Sequence, residues 1–168
     1  MLHEPRVSLS SELPHRLLRL AVEAGPREFV ALLAGPTTRV AGPTNRGDGT
    51  AGRGALVVDH VRPIANATRA LDRFEVEATA FAAAEAALRD QGRRWLGFVH
   101  SHPVGRATLS ARDRRQLWPH CLQLVIGLAA NPAQDAWLRA FRGDGTDWYE
   151  LPIEVATAAT AIPVREPA

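Results

Sequence analysis

The first apolar positions of the chain repeat with a helical period. Leucines recur at intervals of three and four residues behind Ser10 and Ser11, and either serine can cap a helix N-terminus. Gly25-Pro26 then interrupts the pattern, because glycine and proline end helices. The pattern predicts a helix that Ser10 or Ser11 caps and that ends near Ala24.

The rest of the chain alternates helical and strand patterns. Residues 77–91 are rich in alanine and contain no glycine or proline, which predicts a helix that Gly92 ends. Residues 42–54 contain five glycines and predict a surface loop. Short apolar runs predict strands over 27–34, 55–64, 95–100, 121–129, 136–142 and 148–155.

Helices of full length among these strands predict an α/β fold in which helices cover the faces of a sheet. The short connections near the C-terminus predict antiparallel pairs there, so we expect the central sheet to be mixed. With 168 residues, the chain is long enough for one hydrophobic core. We therefore predict a single domain over residues 1–155 and a C-terminal tail over residues 156–168.

Composition and charge argue against several classes of partner. The net charge is +2 and the pI is about 9.4, which does not favour nucleic acid. No apolar run approaches the roughly 18 residues that span a bilayer, so we expect no membrane partner. The N-terminus lacks a secretory pattern, and the single cysteine cannot form an internal disulfide. These features predict a cytoplasmic protein.

The candidate chemistry lies in one stretch of the sequence. His100 and His102 stand two residues apart at the end of a predicted strand, so their side chains point to the same side. Asp113 follows in the first turn of a short helix predicted from Ser110 to about Trp118. Two nitrogens and one carboxylate oxygen, with a fourth position left for water, form an open catalytic zinc site. The pattern predicts one Zn²⁺ per chain.

Each part of this pattern also has a structural interpretation. A histidine pair at this spacing is weak evidence for a metal when taken alone. Ser110 with Asp113 can be a helix N-cap with an acid near the positive helix end. Ser101 lies between the two histidines and points to the opposite face, which favours a packing role. Taken together, however, the parts support a metal site more strongly than any of them alone.

These residues resemble the signature of the JAMM (MPN+) family of zinc metalloproteases. The spacing from His100 through His102 and Ser110 to Asp113 is the spacing of that signature. The resemblance covers roughly residues 12–155 of the chain.

A second part of the resemblance lies upstream. The family has a glutamate in a Glu-x-x-Gly-Leu-Leu-x-Gly context, and Glu28 stands in a similar stretch of this sequence. Ala31 departs from the pattern, because glycine is usual at its position. The stretch that contains Asn66, followed by Phe74 and an acid, is also similar to the family's middle segment.

The resemblance implies a fold, a cofactor and a role for each residue. The family fold is a cytidine-deaminase-like layered α/β domain. His100, His102 and Asp113 would be the zinc ligands. Glu28 would accept a proton from the zinc-bound water and pass it to the leaving amine. Ser110 would hydrogen-bond the developing oxyanion.

The resemblance also implies a substrate class. Family members cut the bond after the C-terminal Gly-Gly of ubiquitin or ubiquitin-like proteins, and small bacterial relatives release an adduct from ubiquitin-fold sulfur carriers. This chain has no long insertion after the metal helix, as in the small prokaryotic type. We therefore expect a deubiquitinase-like zinc peptidase or isopeptidase whose partner is a ubiquitin-like or sulfur-carrier protein ending in Gly-Gly.

Other functions remain open at this point. A catalytically silent MPN-type scaffold domain is the alternative, although silent members typically lack one or more ligands and none is missing here. A nucleobase deaminase would need a His-x-Glu motif and a Cys-x-x-Cys pair, which a single cysteine excludes. The sequence leaves the oligomeric state open, with a homodimer as one option, and does not separate peptide, isopeptide and cysteine-adduct bonds.

Overall fold

A computed structural model of the chain describes residues 6–37, 55–129 and 136–156. The predicted loop over residues 42–54 lies outside these ranges, as does the predicted tail except for Ala156. The elements are β1 Val7–Leu9, α1 Leu13–Ala24, β2 Val30–Pro36, β3 Leu56–Val58, β4 His60–Pro63, α2 Ala78–Asp90, β5 Arg93–His102, α3 Ala111–Gln116, β6 Leu122–Gly127, β7 Leu138–Gly143, β8 Trp148–Leu151 and β9 Ile153–Val155.

The central sheet has six strands in the order β4-β2-β5-β6-β7-β8. The β5–β6 pair is parallel, and the other neighbouring pairs are antiparallel. The predicted mixed sheet is therefore confirmed, with antiparallel pairs toward the C-terminus. The long β5 lies inside this sheet between β2 and β6, which fixes the end of β5 on both sides.

A second, smaller sheet has the order β3-β1-β9, and both of its pairs are parallel. Because of this second sheet, two of the predicted strands are each divided into two. The strand predicted over residues 55–64 divides at Asp59, so that β3 joins the small sheet and β4 the large one. The strand predicted over residues 148–155 divides at Pro152, because proline cannot donate to a sheet ladder. The strand Val7–Leu9 was not predicted at all.

Buried side chains cover both faces of the central sheet. Along β2, Leu33 packs in a cluster with Leu17 of α1, whereas Leu32 packs in a second cluster with Leu88 of α2. Successive side chains of a strand point to opposite faces, so the two helices lie on opposite sides of the sheet. This arrangement confirms the α/β class with helices on the sheet faces. The cytidine-deaminase-like layering stays a prediction, as does the single-domain division.

The helix ends agree with the sequence in part. The first helix begins at Leu13 with Glu12 at the N-cap and no side-chain cap, so the predicted cap at Ser10 or Ser11 was wrong. Its end at Ala24 is confirmed. Gly92 follows α2 with a φ of 69°, a conformation that favours glycine. Among the described residues, no helix has the length and apolar character needed to cross a membrane.

Candidate metal centre

The two histidines lie at the carboxyl end of β5. In the parallel ladder with β6, His100 pairs with Val125 and His102 pairs with Gly127. The two positions differ in burial, since the His100 side chain is fully buried and that of His102 is 13% exposed. As the two-residue spacing predicted, both imidazoles point to the same side, and their Nε2 atoms are 3.2 Å apart.

The third member of the cluster comes from the first turn of α3. Ser110 is the N-cap, and its Oγ accepts a hydrogen bond from the Asp113 backbone N–H at 3.1 Å. The Ser110 backbone N–H donates to the Asp113 Oδ2 at 2.7 Å, which completes a capping box. This reciprocal pair fixes the Asp113 carboxylate, which is buried beside the histidines.

The three side chains converge on one point. An Asp113 carboxylate oxygen lies 3.6 Å from the His100 Nε2, and the other lies 3.4 Å from the His102 Nε2. One ligand atom from each residue lies within 4.8 Å of the other two. Two ligands bound at about 2.05 Å to a tetrahedral ion are about 3.3 Å apart. The donor types and their spacing therefore fit a zinc-sized ion.

The hydrogen bond of His102 places its ring proton on Nδ1 and leaves Nε2 free to bind a metal ion. The His102 Nδ1 lies 2.9 Å from the backbone oxygen of Arg106, and only a protonated Nδ1 can donate to that carbonyl. In the neutral ring, the Nε2 then carries a lone pair that faces His100 and Asp113. Metal-bound histidines in proteins show this arrangement, in which the other ring nitrogen donates to a carbonyl or carboxylate.

The electrostatics of the cluster favour an ionised Asp113 carboxylate beside the two imidazoles. Burial lowers the pKa of His100, although Asp113 acts against this effect. Burial also acts to lower the pKa of His102, but Asp113 and the Arg106 carbonyl outweigh it and raise that pKa. Burial acts to raise the pKa of Asp113, yet the two imidazoles and Ser110 hold it well below its ordinary value. Asp113 is therefore ionised and suited to bind a cation.

Glu28 is held beside the cluster by the junction of β2 and β5. The antiparallel register pairs Val30 with His100, which brings the residues preceding β2 alongside His102. Glu28 is 6% exposed, so its carboxylate is buried beside the cluster. Burial raises the pKa of Glu28 to about 7, while the nearby His102 lowers it and Asp113 raises it.

Ser101 connects the two strands at this junction. Its Oγ accepts a hydrogen bond from the Phe29 backbone N–H at 2.8 Å, and its backbone N–H donates to the Phe29 oxygen at 3.0 Å. The prediction of a packing role was incomplete, because the hydroxyl is buried and fixes the residue that follows Glu28. The sequence places Ser101 between the histidines but does not reveal Phe29 as its partner.

Asn66 is a further residue whose role was not predicted. Its Nδ2 donates to the backbone oxygens of Glu28 at 3.1 Å and Arg73 at 3.3 Å. Its Oδ1 accepts from the backbone N–H groups of Thr68 at 3.2 Å and Glu75 at 3.1 Å. All of the side chain's hydrogen-bonding groups are therefore used. They attach the connection between β4 and α2, residues 64–77, to Glu28.

That connection also closes one side of the cluster. The Phe74 ring lies against the His100 ring with centroids 5.0 Å apart. Next to the histidine–aspartate cluster, a pocket of about 290 Å³ is lined by Asp113 together with aromatic residues of the connection, α2, β5 and the segment that follows α3. Charged, apolar and metal-binding groups thus adjoin one another at this edge of the sheet.

The sequence-predicted residues gather at this centre. The structure brings His100, His102 and Asp113 into one cluster compatible with a metal ion and buries Glu28 beside it. Ser110 lies next to the cluster as the cap of α3, so its structural interpretation is confirmed.

Fold and site together define an α/β domain with a mixed central sheet and a histidine–aspartate cluster that is compatible with a metal ion. The chain belongs to the family of prokaryotic homologs of the JAB domain, whose model matches residues 10–142. The resemblance to the JAMM (MPN+) proteins is thereby confirmed. No curated protein matches the chain in sequence.

Solved structures share the fold. The chain is similar to a protein from Desulfitobacterium hafniense, with a TM-score of 0.71 and 25% identity over 90% of this chain and 94% of that one. A protein from Salinibacter ruber has a TM-score of 0.54 and 22% identity over 92% and 94% of the two chains. A JAB1/MPN domain protein from Archaeoglobus fulgidus has a TM-score of 0.51 and 19% identity over 90% and 100%.

Proposed function

We propose that the chain is a zinc-dependent peptidase or isopeptidase that hydrolyses the bond after the C-terminal Gly-Gly of a ubiquitin-like or sulfur-carrier protein. The observation that carries this proposal is the convergence of His100, His102 and Asp113 at separations that suit one tetrahedral ion. Zinc in such a site, when bound, supplies a Lewis acid that activates water near neutral pH and polarises a carbonyl.

Glu28 is proposed as the general base. It is buried against the cluster, where the Asn66 side chain donates to its backbone oxygen and the Ser101 hydroxyl accepts from the backbone N–H of the next residue, Phe29. Its carboxylate would accept a proton from the attacking water and deliver it to the leaving amine. Such a proton transfer contributes about 10²–10⁴-fold to a rate.

Ser110 is proposed as a hydrogen-bond donor to the carbonyl oxygen that becomes negative during attack. Its Oγ accepts the bond from the Asp113 backbone N–H, so the hydroxyl proton remains free to donate outward. A single donor of this kind contributes about 10²–10³-fold. The same side chain would thus cap α3 and serve the reaction.

The partner is proposed from the family relationship and from the small size of a Gly-Gly tail. A Gly-Gly tail carries no side chains, so it can pass along a narrow cleft and pair with a backbone edge. The candidate ligands lie at the carboxyl end of β5, with Glu28 buried beside them and Ser110 at the start of α3, where a tail bound along the sheet edge would reach them. A cytoplasmic location is proposed with this partner.

The experiment uses the zinc-loaded chain and a ubiquitin-fold carrier extended beyond Gly-Gly, with the products identified by mass spectrometry. We expect cleavage after the second glycine, and a loss of about 10²–10⁴-fold in kcat for Glu28→Gln. The matched control is Glu23→Gln, an exposed change on α1. Cleavage that persists unchanged in Glu28→Gln would rule out the proposed mechanism.

The second candidate is a catalytically silent scaffold domain of the same fold. The family relationship allows it, but a scaffold does not require three ligand atoms and a buried carboxylate to converge. Absence of cleavage from every extended carrier, with zinc bound and the fold intact, would favour this alternative.

A further inference from the structure

A second pocket lies at the end of the central sheet opposite to the histidine–aspartate cluster, and its volume is about 230 Å³. Arg94 lines this pocket near the start of β5, whereas His100 and His102 lie at the end of that strand. At about 3.3 Å per residue, the stretch from Arg94 to His100 spans roughly 20 Å. The second pocket is therefore separate from the candidate metal centre.

The second pocket lies where the small sheet packs on the central sheet. The backbone of β3 passes so close to β2 that a Cβ on Gly35 would lie 2.1 Å from the Val57 backbone oxygen. Leu56, the neighbour of Val57, lines the pocket from β3, and Leu96 and Leu122 line it from β5 and β6. These three leucines give the pocket an apolar lining on both sheets.

Three basic side chains line the same pocket. Arg142 of β7 stands directly opposite Leu122 in the antiparallel register, so the two side chains leave the sheet on the same face. Arg94 lines the pocket from β5, and His120 lines it from the segment before β6. No carboxylate belongs to the described residues that line this pocket.

The two guanidinium groups are accessible and have no partner within the described ranges. Arg94 and Arg142 are both exposed, and neither forms an ion pair or a side-chain hydrogen bond there. Arg93, the neighbour of Arg94, differs because it pairs with Asp59. Like charges that share a pocket repel one another, and a bound anion would remove this repulsion.

Cys121 also lines the pocket but does not supply a negative charge. Its Sγ donates to the Trp118 backbone oxygen at 3.2 Å. Burial raises the pKa of the thiol, although the Gln123 side chain and the Arg142 charge act in the opposite direction. The thiol is therefore neutral near pH 7, and it leaves the charge of Arg142 without compensation.

His120 has an unusual backbone conformation beside these groups. Its φ is 68°, and no other described residue apart from glycines has a positive φ. Its N–H donates to the Gly143 oxygen at 2.9 Å, which joins the turn before β6 to the end of β7. A left-handed backbone is uncommon outside glycine and persists where neighbouring contacts fix it. Here it accompanies an imidazole that lines the same pocket as Arg142.

We propose that this pocket binds a small phosphate monoester, with the phosphate on Arg94, Arg142 and His120 and a compact apolar substituent against the leucines. A phosphate monoester carries about 1.5 to 2 negative charges near pH 7 and has three acceptor oxygens, which suits two permanent positive charges. A carboxylate has one charge and two oxygens, so it would satisfy only one guanidinium. Arginine also forms bidentate hydrogen bonds with phosphate. This binding does not depend on the hydrolase activity.

The test is a titration of the zinc-loaded full chain followed by two-dimensional amide NMR, with phenyl phosphate, benzoate and inorganic phosphate as probes. We expect phenyl phosphate to bind about tenfold more tightly than benzoate, because one charge-assisted contact is lost with the carboxylate. It should also bind more tightly than inorganic phosphate, which has no apolar group. Saturable shifts should be largest at the amides of Arg94, Cys121 and Leu122. Equal affinities for phenyl phosphate and benzoate, or shifts confined to the surroundings of His102, would overturn the inference.

Charge variants separate a specific site from general attraction. Arg94→Gln and Arg142→Gln should each weaken phenyl phosphate about tenfold, and both side chains are exposed, so the fold should tolerate the changes. The matched control is Arg115→Gln, an exposed arginine of α3 outside the pocket, and it should leave the affinity unchanged. An equal loss in the control would show attraction to net positive charge alone and overturn the inference.

Two further arms define the substituent. Leu56→Ala should weaken phenyl phosphate about threefold to tenfold and leave inorganic phosphate unchanged, since only the former contacts the leucines. Unchanged binding of phenyl phosphate in Leu56→Ala would overturn the apolar part. N-acetyl-O-phosphoserine methylamide represents a phosphorylated protein segment, and we expect it to bind more weakly than phenyl phosphate. Tighter binding of the phosphoserine compound would overturn the assignment to a small molecule.

Discussion

The Oγ of Ser101 accepts a hydrogen bond from the backbone N–H of Phe29 at 2.8 Å. This bond joins the strand that carries both histidines to the residue that follows Glu28. The spacing between the proposed base and the metal cluster is thus fixed by a buried contact between two residues that are 72 positions apart. The geometry of the proposed site therefore depends on the pairing of β2 with β5 as well as on the candidate ligands.

Ser101→Ala should leave the Phe29 N–H buried without a partner. Such a change costs about 1–3 kcal/mol, so we expect a lower midpoint in urea unfolding with an unchanged slope. Ser8→Ala on β1 is the control, and it should change the free energy of unfolding by less than about 0.5 kcal/mol. Equal effects of the two substitutions would show that the Ser101 bond does not stabilise the β2–β5 junction.

Asn66→Ala should release the connection before α2 from Glu28, since four hydrogen bonds are lost together. We expect faster hydrogen exchange of the Thr68 and Glu75 amides and a kcat that falls more than KM rises. Asn66→Asp keeps the acceptor oxygen and loses the donor, so the Thr68 and Glu75 amides should stay protected.

The Asn66→Asp variant also tests the link between Asn66 and Glu28. Because the donor to the Glu28 carbonyl is absent in both variants, kcat should remain low in Asn66→Asp despite the restored amide protection. Full recovery of kcat in Asn66→Asp would contradict the link between Asn66 and Glu28.

Gly127→Ala should disturb the segment that joins β5 to α3. A Cβ at this position would lie 2.2 Å from the Ala107 backbone nitrogen and 2.4 Å from the Arg106 carbonyl carbon, so the backbone must move. Because the Arg106 oxygen contacts His102, we expect weaker zinc binding as well as lower stability. Gly92→Ala meets no atom within 4 Å, so it should cost only about 1–2 kcal/mol of backbone strain and leave zinc affinity unchanged.

Tyr149 is the single tyrosine of the chain, so its titration can be followed by ultraviolet absorbance. Its hydroxyl donates to the Asp144 Oδ2 at 2.9 Å, and this bond raises the pKa of Tyr149 above its ordinary value of 10.0. A raised folded-state pKa means that the bond stabilises the fold below the unfolded-state pKa and is lost as the pH rises through the folded one.

The Tyr149 titration midpoint should therefore lie above that of a tyrosine peptide. Asp144→Ala should bring it back toward the peptide value, whereas Glu23→Ala on the remote α1 should not. A midpoint that is the same in the wild type and in Asp144→Ala would contradict the contact.

The parts of the site that could be predicted are those that lie close together in the sequence. His100, His102 and Asp113 are within a short stretch, and strand periodicity with a helix N-cap sets their relative directions. Glu28 could be predicted as a site residue only through the family resemblance, because its position beside the histidines depends on the pairing of β2 with β5. The α/β class followed from the long helices among the strands.

The parts that were missed depend on contacts across the chain. The strand Val7–Leu9 has three residues and exists only because β3 and β9 pair with it on its two sides. The strands predicted over 55–64 and 148–155 divide because each half pairs with a different sheet. The hydrogen bond from Asn66 to the Glu28 carbonyl joins residues 38 positions apart, and the pocket beside Asp113 likewise brings together residues that are distant in the sequence.

The central claim is that three side chains bind one zinc ion, and a zinc titration of the metal-free chain tests it most directly. The account predicts one zinc per chain in the wild type, with binding lost or greatly weakened in His102→Ala and Asp113→Ala. It also predicts binding that is retained in Glu28→Gln, since Glu28 is not a ligand. Stoichiometric zinc binding that is unchanged in both ligand variants, with all proteins folded, would contradict the account.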